Sequence, residues 1–104
     1  LVYKFLNLVT EHYSTNREVS FYADKLCISP KYLTMVVHDV TGKSAKECIV
    51  EHTLLEIKSL LRDASLDIKD VVRLARFSSQ SLLSRFFRKH TGMSPSQYRE
   101  QAHL

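Results

Sequence analysis

Apolar residues recur at steps of three and four along most of this 104-residue chain, and that spacing places them on one face of an α-helix. The longest such run extends from Ala45 to Arg62 and contains no Gly or Pro, so it predicts one long helix. Shorter runs predict an opening helix over residues 1–12 and a second helix that Ser20 caps and that ends at Leu26 or Cys27. The pattern therefore predicts an all-α fold.

Two Ser-Pro pairs predict where further helices begin, because Ser is a favourable N-cap residue and Pro fits the first helical position. The pair Ser29-Pro30 precedes a helix whose buried face is predicted to comprise Leu33, Val36, Val37 and Val40. Residues 41–44 end that helix. The pair Ser94-Pro95 precedes a short last helix that reaches Gln101.

Residues 68–91 contain two short amphipathic runs with a polar turn between them. The first run has an apolar face made of Ile68, Val71, Val72 and Ala75. In the second run one side is apolar and carries Leu83, Phe86, Phe87 and His90, whereas the other carries Ser81, Ser84, Arg85 and Arg88. Gly92 is suited to the left-handed backbone that ends a helix. The two runs therefore predict a helix-turn-helix with one side in the core and the other free to contact a partner.

An internal repeat indicates that this shape occurs twice. The sequence LTMVVHDVTGKS, residues 33–44, aligns with LSRFFRKHTGMS, residues 83–94, at an offset of 50. Ahead of the turn the offset is 49, pairing Ala23 with Val72 and Ile28 with Phe77, so the turn of the second copy is predicted to be one residue longer. We therefore expect a first helix-turn-helix subdomain over residues 1–43, a linker helix over 44–62 and a second subdomain over 63–104.

Basic residues are concentrated in the second copy. Residues 68–99 carry seven Lys or Arg and one Asp, whereas residues 1–67 carry eight basic and nine acidic side chains, so the net charge of +4 comes from the second copy. A polyanion is the expected partner, and a short polar helix face flanked by Arg favours the major groove of DNA.

The amino-acid composition argues against a disordered, a metal-binding or a membrane-spanning protein. With 44% hydrophobic residues and only two Gly and two Pro, the chain can bury a core and is not disordered. Cys27 and Cys48 lack the spacing of a zinc site or a disulfide framework, so we expect two small buried thiols, no metal and no cofactor. No apolar run is long enough to cross a bilayer and no leader is present, which favours a cytoplasmic location without membrane contact. The chain begins at Leu1 rather than Met, so we expect it to be a piece of a longer protein.

The chain resembles, over essentially its whole length, the DNA-binding domain found at the C-terminus of AraC/XylS-family bacterial transcription regulators, and the motif that carries the resemblance lies in the second copy. The positions of the family motif are occupied here by Ile68, Val71, Val72, Phe77, Leu83, Phe87, Arg88, Lys89, Gly92, Ser94, Pro95, Tyr98 and Arg99. Three positions depart from it: Val72 replaces a small Ala, Leu83 replaces an aromatic residue and Arg76 replaces the Gly before Phe77. Left-handed backbone at Arg76 would be strained, because only Gly adopts it freely.

The resemblance implies seven helices, with two recognition helices at about 29–40 and 79–90 that enter successive major grooves. By position, the residues implied to contact bases are Lys31, Thr34, Met35, Gln80, Ser81, Ser84 and Arg85. Those that are candidates for phosphate contacts are Ser29, Lys43, Ser79, Arg88, Lys89 and Ser94. The implied partners are promoter or operator DNA, RNA polymerase, and a sensor or dimerisation region that precedes this segment in the full-length protein.

Two other classes of function are alternatives to DNA binding. An enzyme is disfavoured because the five His residues are scattered, without the spacing of a nucleophile or metal site, and no Gly-rich phosphate loop is present. A helical adaptor for acidic protein partners is the stronger alternative, since amphipathic helices with basic faces also bind proteins. Steep, log-linear loss of duplex binding with salt distinguishes DNA binding from the adaptor.

Overall fold

The computed structural model describes residues 1–103, and all regular structure among them is helical. The helices are α1 (Val2–His12), α2 (Val19–Lys25), α3 (Pro30–Thr41), α4 (Ala45–Arg62), α5 (Ile68–Leu74), α6 (Gln80–Thr91) and α7 (Pro95–Ala102). The predicted all-α fold with seven helices is confirmed, and α4 has the bounds that its uninterrupted apolar pattern predicts.

The chain forms two compact units, residues 1–53 and residues 54–104, and the division falls inside α4. The first unit buries an apolar core that includes Phe5, Val9, Tyr22, Leu33, Val37 and Ile49. The second unit buries a core that includes Ile57, Leu61, Val71, Leu83 and Phe87. The two halves of α4 thus each supply residues to a different core, which explains the unbroken apolar stripe along this helix.

The repeat detected in the sequence is present in the backbone. Helices α3 and α6 have equal length, and Gly42 and Gly92 follow them with positive φ angles of 77° and 78°. In both units a Thr in the last helical turn fixes this end. The Oγ1 of Thr41 donates to the Val37 carbonyl at 2.7 Å, and the Oγ1 of Thr91 donates to the Phe87 carbonyl at 2.7 Å. Each Thr hydroxyl also accepts the backbone N–H two residues later.

The turns between the paired helices also repeat, with one difference in length. Residues 26–29 separate α2 from α3, and residues 75–79 separate α5 from α6, so the predicted extra residue in the second turn is confirmed. Cys27 and Arg76 both have a φ of 58°, the left-handed region that L-residues adopt at a cost. The next amide in each unit donates to the carbonyl five residues back, from Ile28 to Ala23 and from Phe77 to Val72, both at 3.0 Å.

Three expectations about single residues are wrong. The N-cap of α2 is Glu18 and not Ser20, because the helix already includes Val19, which packs against the first core. Val40 is 67% exposed, since it lies in the last turn of α3 where no other element covers that side of the helix. Cys27 is exposed in the turn, whereas Cys48 is buried as expected.

Candidate nucleic-acid interface

The outward face of α6 is polar and basic. Leu83 and Phe87 are buried on the inner side, so they fix which side chains point away from the core. Five outward residues line one shallow depression on the surface: Ser81, Ser84, Arg85, Arg88 and Lys89. All except Ser84 are exposed, and Gln80 is exposed at the first position of the helix. This face can donate hydrogen bonds to an anion or to polar base edges.

The cations of α6 lack the protein partners that hold Arg73 and Arg99 in the same unit. Arg73 pairs with Asp70 at 3.5 Å. Arg99 donates from Nε to the Leu61 carbonyl at 2.9 Å and thereby satisfies the C-terminal end of α4. Among the residues described, no ion pair joins Arg85, Arg88 or Lys89 to a carboxylate. These three charges are therefore available to an external anion.

The candidate phosphate-binding serines are helix caps. Ser29 accepts the N–H of Tyr32 at 3.1 Å, and Ser79 accepts the N–H of Leu82 at 3.2 Å. Ser94 Oγ accepts the N–H of Gln97 at 3.1 Å, and the Ser94 backbone N–H donates to Gln97 Oε1 at 2.9 Å, which completes a capping box. In each cap the hydroxyl acts as an acceptor, so its own hydrogen remains free to be donated. Capping and phosphate contact are thus chemically compatible in these residues.

The candidate residues of the first unit are less strongly cationic. Lys31 and Met35 are exposed on α3, and Thr34 is half-buried. Lys43 lies 2.6 Å from a carboxylate oxygen of Glu51, and this hydrogen bond raises the pKa of Lys43. A phosphate would have to compete with Glu51 for Lys43, in contrast to the unpaired cations of α6.

Two exposed apolar residues beside these sets were not predicted. Tyr32 is 47% exposed on α3 and Leu82 is 44% exposed on α6, and they occupy equivalent places at the offset of 50. Each precedes a buried Leu in the sequence, so apolar periodicity alone does not separate it from the core. The repeat shows that the two positions are equivalent, and the structure shows that both are exposed.

Residues 1–103 lack the features of two other kinds of site. No group of three or more His, Cys, Asp or Glu side chains is arranged to hold a metal ion. None of the helices described combines the length and the apolar character needed to traverse a lipid bilayer.

The sequence matches known proteins over most of its length. Residues 22–101 match a family described as "Helix-turn-helix domain". The chain is 34% identical over 96 residues to the uncharacterized HTH-type transcriptional regulator YijO of Escherichia coli, covering 91% of this chain and 34% of that protein. It is 27% identical over 99 residues to the melibiose operon regulatory protein of Escherichia coli, covering 95% and 33%. The chain thus spans about a third of the length of these curated relatives.

The fold is also found among solved structures. The DNA-binding domain of AdpA, a global transcriptional factor, was solved in complex with a target DNA and superposes with a TM-score of 0.79. The superposition covers 96% of this chain and 90% of that one, at 21% sequence identity. At this identity the likeness concerns the fold.

Proposed function

The chain belongs to the AraC-type helix-turn-helix family of bacterial transcription regulators, and from this we propose that it binds double-stranded DNA sequence-specifically, with α3 and α6 as its recognition helices. The observation that carries the proposal is the outward face of α6. Arg85, Arg88 and Lys89 are there exposed and unpaired beside two serines, on the second helix of a helix-turn-helix. Such a face suits an element that enters the major groove.

The side chains of α6 divide into two chemical roles. We assign base reading to Arg85, whose planar fork can donate to O6 and N7 of guanine, and to Gln80, whose amide can pair with adenine. Ser81 and Ser84 supply single hydrogen bonds to base edges. Arg88 and Lys89 lie in the last turn of α6 and are assigned to phosphates, which hold the helix in register without reading sequence. Ser79 and Ser94 are assigned to the same role.

The first unit is assigned a smaller share of the charge-dependent affinity. Lys31, Thr34 and Met35 face outward from α3 or lie at its edge, and among them only Lys31 is charged. Ser29 and Lys43 are assigned to phosphates. We propose that α3 and α6 enter successive major grooves of promoter or operator DNA. In the full-length regulator, a sensor or dimerisation region and RNA polymerase are the further proposed partners, and the cytoplasm is the proposed location.

Salt dependence separates this function from that of an adaptor for acidic proteins. Each phosphate neutralised by Lys or Arg releases counterions, so the logarithm of the binding constant falls linearly with the logarithm of the salt concentration. We expect that fall for duplex DNA, with some sequences retaining binding at higher salt than others. Titration of the chain with labelled duplexes at several salt concentrations measures it. Absence of duplex binding even at low salt would contradict the proposal and favour the adaptor.

A further inference from the structure

The two recognition helices present different chemistry at equivalent positions. At the offset of 50, Met35 on α3 stands where Arg85 stands on α6. The Met35 side chain is 53% exposed, and Tyr32, one turn before it, is 47% exposed. Leu33 and Val37 on the opposite side of the same helix are fully buried, so the outward position of Met35 follows from the packing of α3. One helix therefore presents a cation where the other presents a thioether.

The net charge of the two helices also differs, and α6 is again the more positive. Helix α3 carries one Lys and one Asp, which cancel, whereas α6 carries three basic residues and no acidic residue. Attraction to phosphates is consequently weaker at α3. Base recognition by this helix has to come from close contact, which the exposed apolar surface around Met35 can supply.

We propose, resting on the DNA-binding function above, that Met35 recognises the 5-methyl group of a thymine in the half-site that α3 enters. In the major groove this methyl is the one apolar feature that the four base pairs present, and it distinguishes thymine from cytosine. The Met35 side chain has no donor and only a weak acceptor, so it cannot replace the water lost from guanine O6 or cytosine N4. Met35 therefore favours an A·T pair at the position where Arg85 favours a G·C pair in the other half-site.

Deoxyuridine tests this contact, because it differs from thymidine only by the absent methyl. The probe is the duplex that the chain binds most tightly out of a random pool, with each thymine replaced in turn by deoxyuridine. At one thymine the replacement is expected to weaken binding by about fourfold, the value of one buried methyl group. In the Met35→Ala variant the same replacement is expected to have no effect, since the contact is already lost. Val40→Ala is the matched control, because Val40 is an exposed apolar residue in the last turn of the same helix.

The outcomes separate this inference from the function on which it rests. Loss of the uridine effect in Met35→Ala, with its retention in Val40→Ala, supports the contact. Sequence-specific binding in which no thymine is sensitive to replacement overturns the role of Met35 and leaves DNA binding intact. A uridine effect that persists unchanged in Met35→Ala assigns the methyl to another side chain and equally overturns the inference. Failure to bind any duplex overturns both.

Discussion

At the scale of single residues, the two left-handed turn positions show how the fold tolerates a departure from its family pattern. Arg76 and Cys27 both have a φ of 58°, although the motif has Gly at the position of Arg76. The hydrogen bonds that close each turn require this conformation, so the backbone adopts it despite the side chain. Arg76 consequently stores strain of about 1–2 kcal/mol, which is the usual cost of left-handed backbone for an L-residue.

Replacing Arg76 by Gly should relieve this strain. We expect Arg76→Gly to be more stable than Arg76→Ala by about 1 kcal/mol, because both lose the side chain but only Gly adopts positive φ freely. The entropy that Gly gains in the unfolded chain offsets part of the difference. Urea denaturation of the two variants measures it. Equal stability, or a more stable Ala variant, would show that the turn is unstrained at this position.

At the scale of helices, the same three features position each recognition helix: an N-cap Ser, a buried Leu and a Gly that ends the helix. Ser79, Leu83 and Gly92 of α6 correspond to Ser29, Leu33 and Gly42 of α3. The N-cap Ser has two proposed roles. Its oxygen caps the helix, and its hydroxyl hydrogen is free to be donated to a phosphate. A variant that keeps the capping hydrogen bond but adds a negative charge distinguishes capping from phosphate contact.

Ser79→Asp makes this distinction. Asp is as good an N-cap as Ser, so the free energy of unfolding should be preserved or slightly raised. The added carboxylate would repel a phosphate, so affinity for duplex DNA should fall, most strongly at low salt. Ser20→Asp is the control, because it adds the same charge at an exposed residue of α2 outside the candidate set. If both variants bind DNA as the unmodified chain does, Ser79 acts as a cap alone.

The start of α5 should make the stability of the chain sensitive to acid. Asp70 accepts the backbone N–H of Asp67 at 3.0 Å and also pairs with Arg73, and these contacts lower the pKa of Asp70 below 3.8. Because the folded pKa is the lower one, the carboxylate stabilises the fold above pH 3.8 and this contribution is lost as pH falls through the folded pKa. Asp70→Asn should therefore show a smaller loss of unfolding free energy as the pH falls from about 5 through the folded pKa of Asp70. Identical pH profiles of the two proteins would contradict this role.

At the scale of the whole molecule, local signals predicted nearly all of the architecture. The uninterrupted pattern of α4, the Ser-Pro helix starts and the offsets of 50 and 49 gave the helix order and the unequal turn lengths. Apolar periodicity was less informative at helix ends, where Val40 is exposed although its spacing matches that of buried residues. The exposure of Cys27 also escaped prediction, because residue type does not reveal left-handed backbone at a non-Gly position.

The sequence predicted the candidate site about as completely as it predicted the fold. Spacing around Leu83 and Phe87 predicted which side of α6 faces outward, and the local charge predicted an anionic partner. The pairing of Lys43 with Glu51 was not predictable, since it joins a residue of the turn before α4 to a residue within that helix, eight positions later. The exposure of Tyr32 and Leu82 depends on how closely the neighbouring helices approach, which periodicity does not encode.

Base-by-base competition on the Arg85→Ala and Lys89→Ala variants tests most directly the claim that α6 reads DNA sequence. Competitor duplexes carry every single base change of the preferred site. Arg85→Ala should lose discrimination of about 1–3 kcal/mol at one base pair and keep it elsewhere. Lys89→Ala should weaken binding to all sequences alike and lower the salt slope by about one charge. Equal competition profiles for the two variants would contradict the base-reading role of Arg85, and with it the account of α6 as a recognition helix.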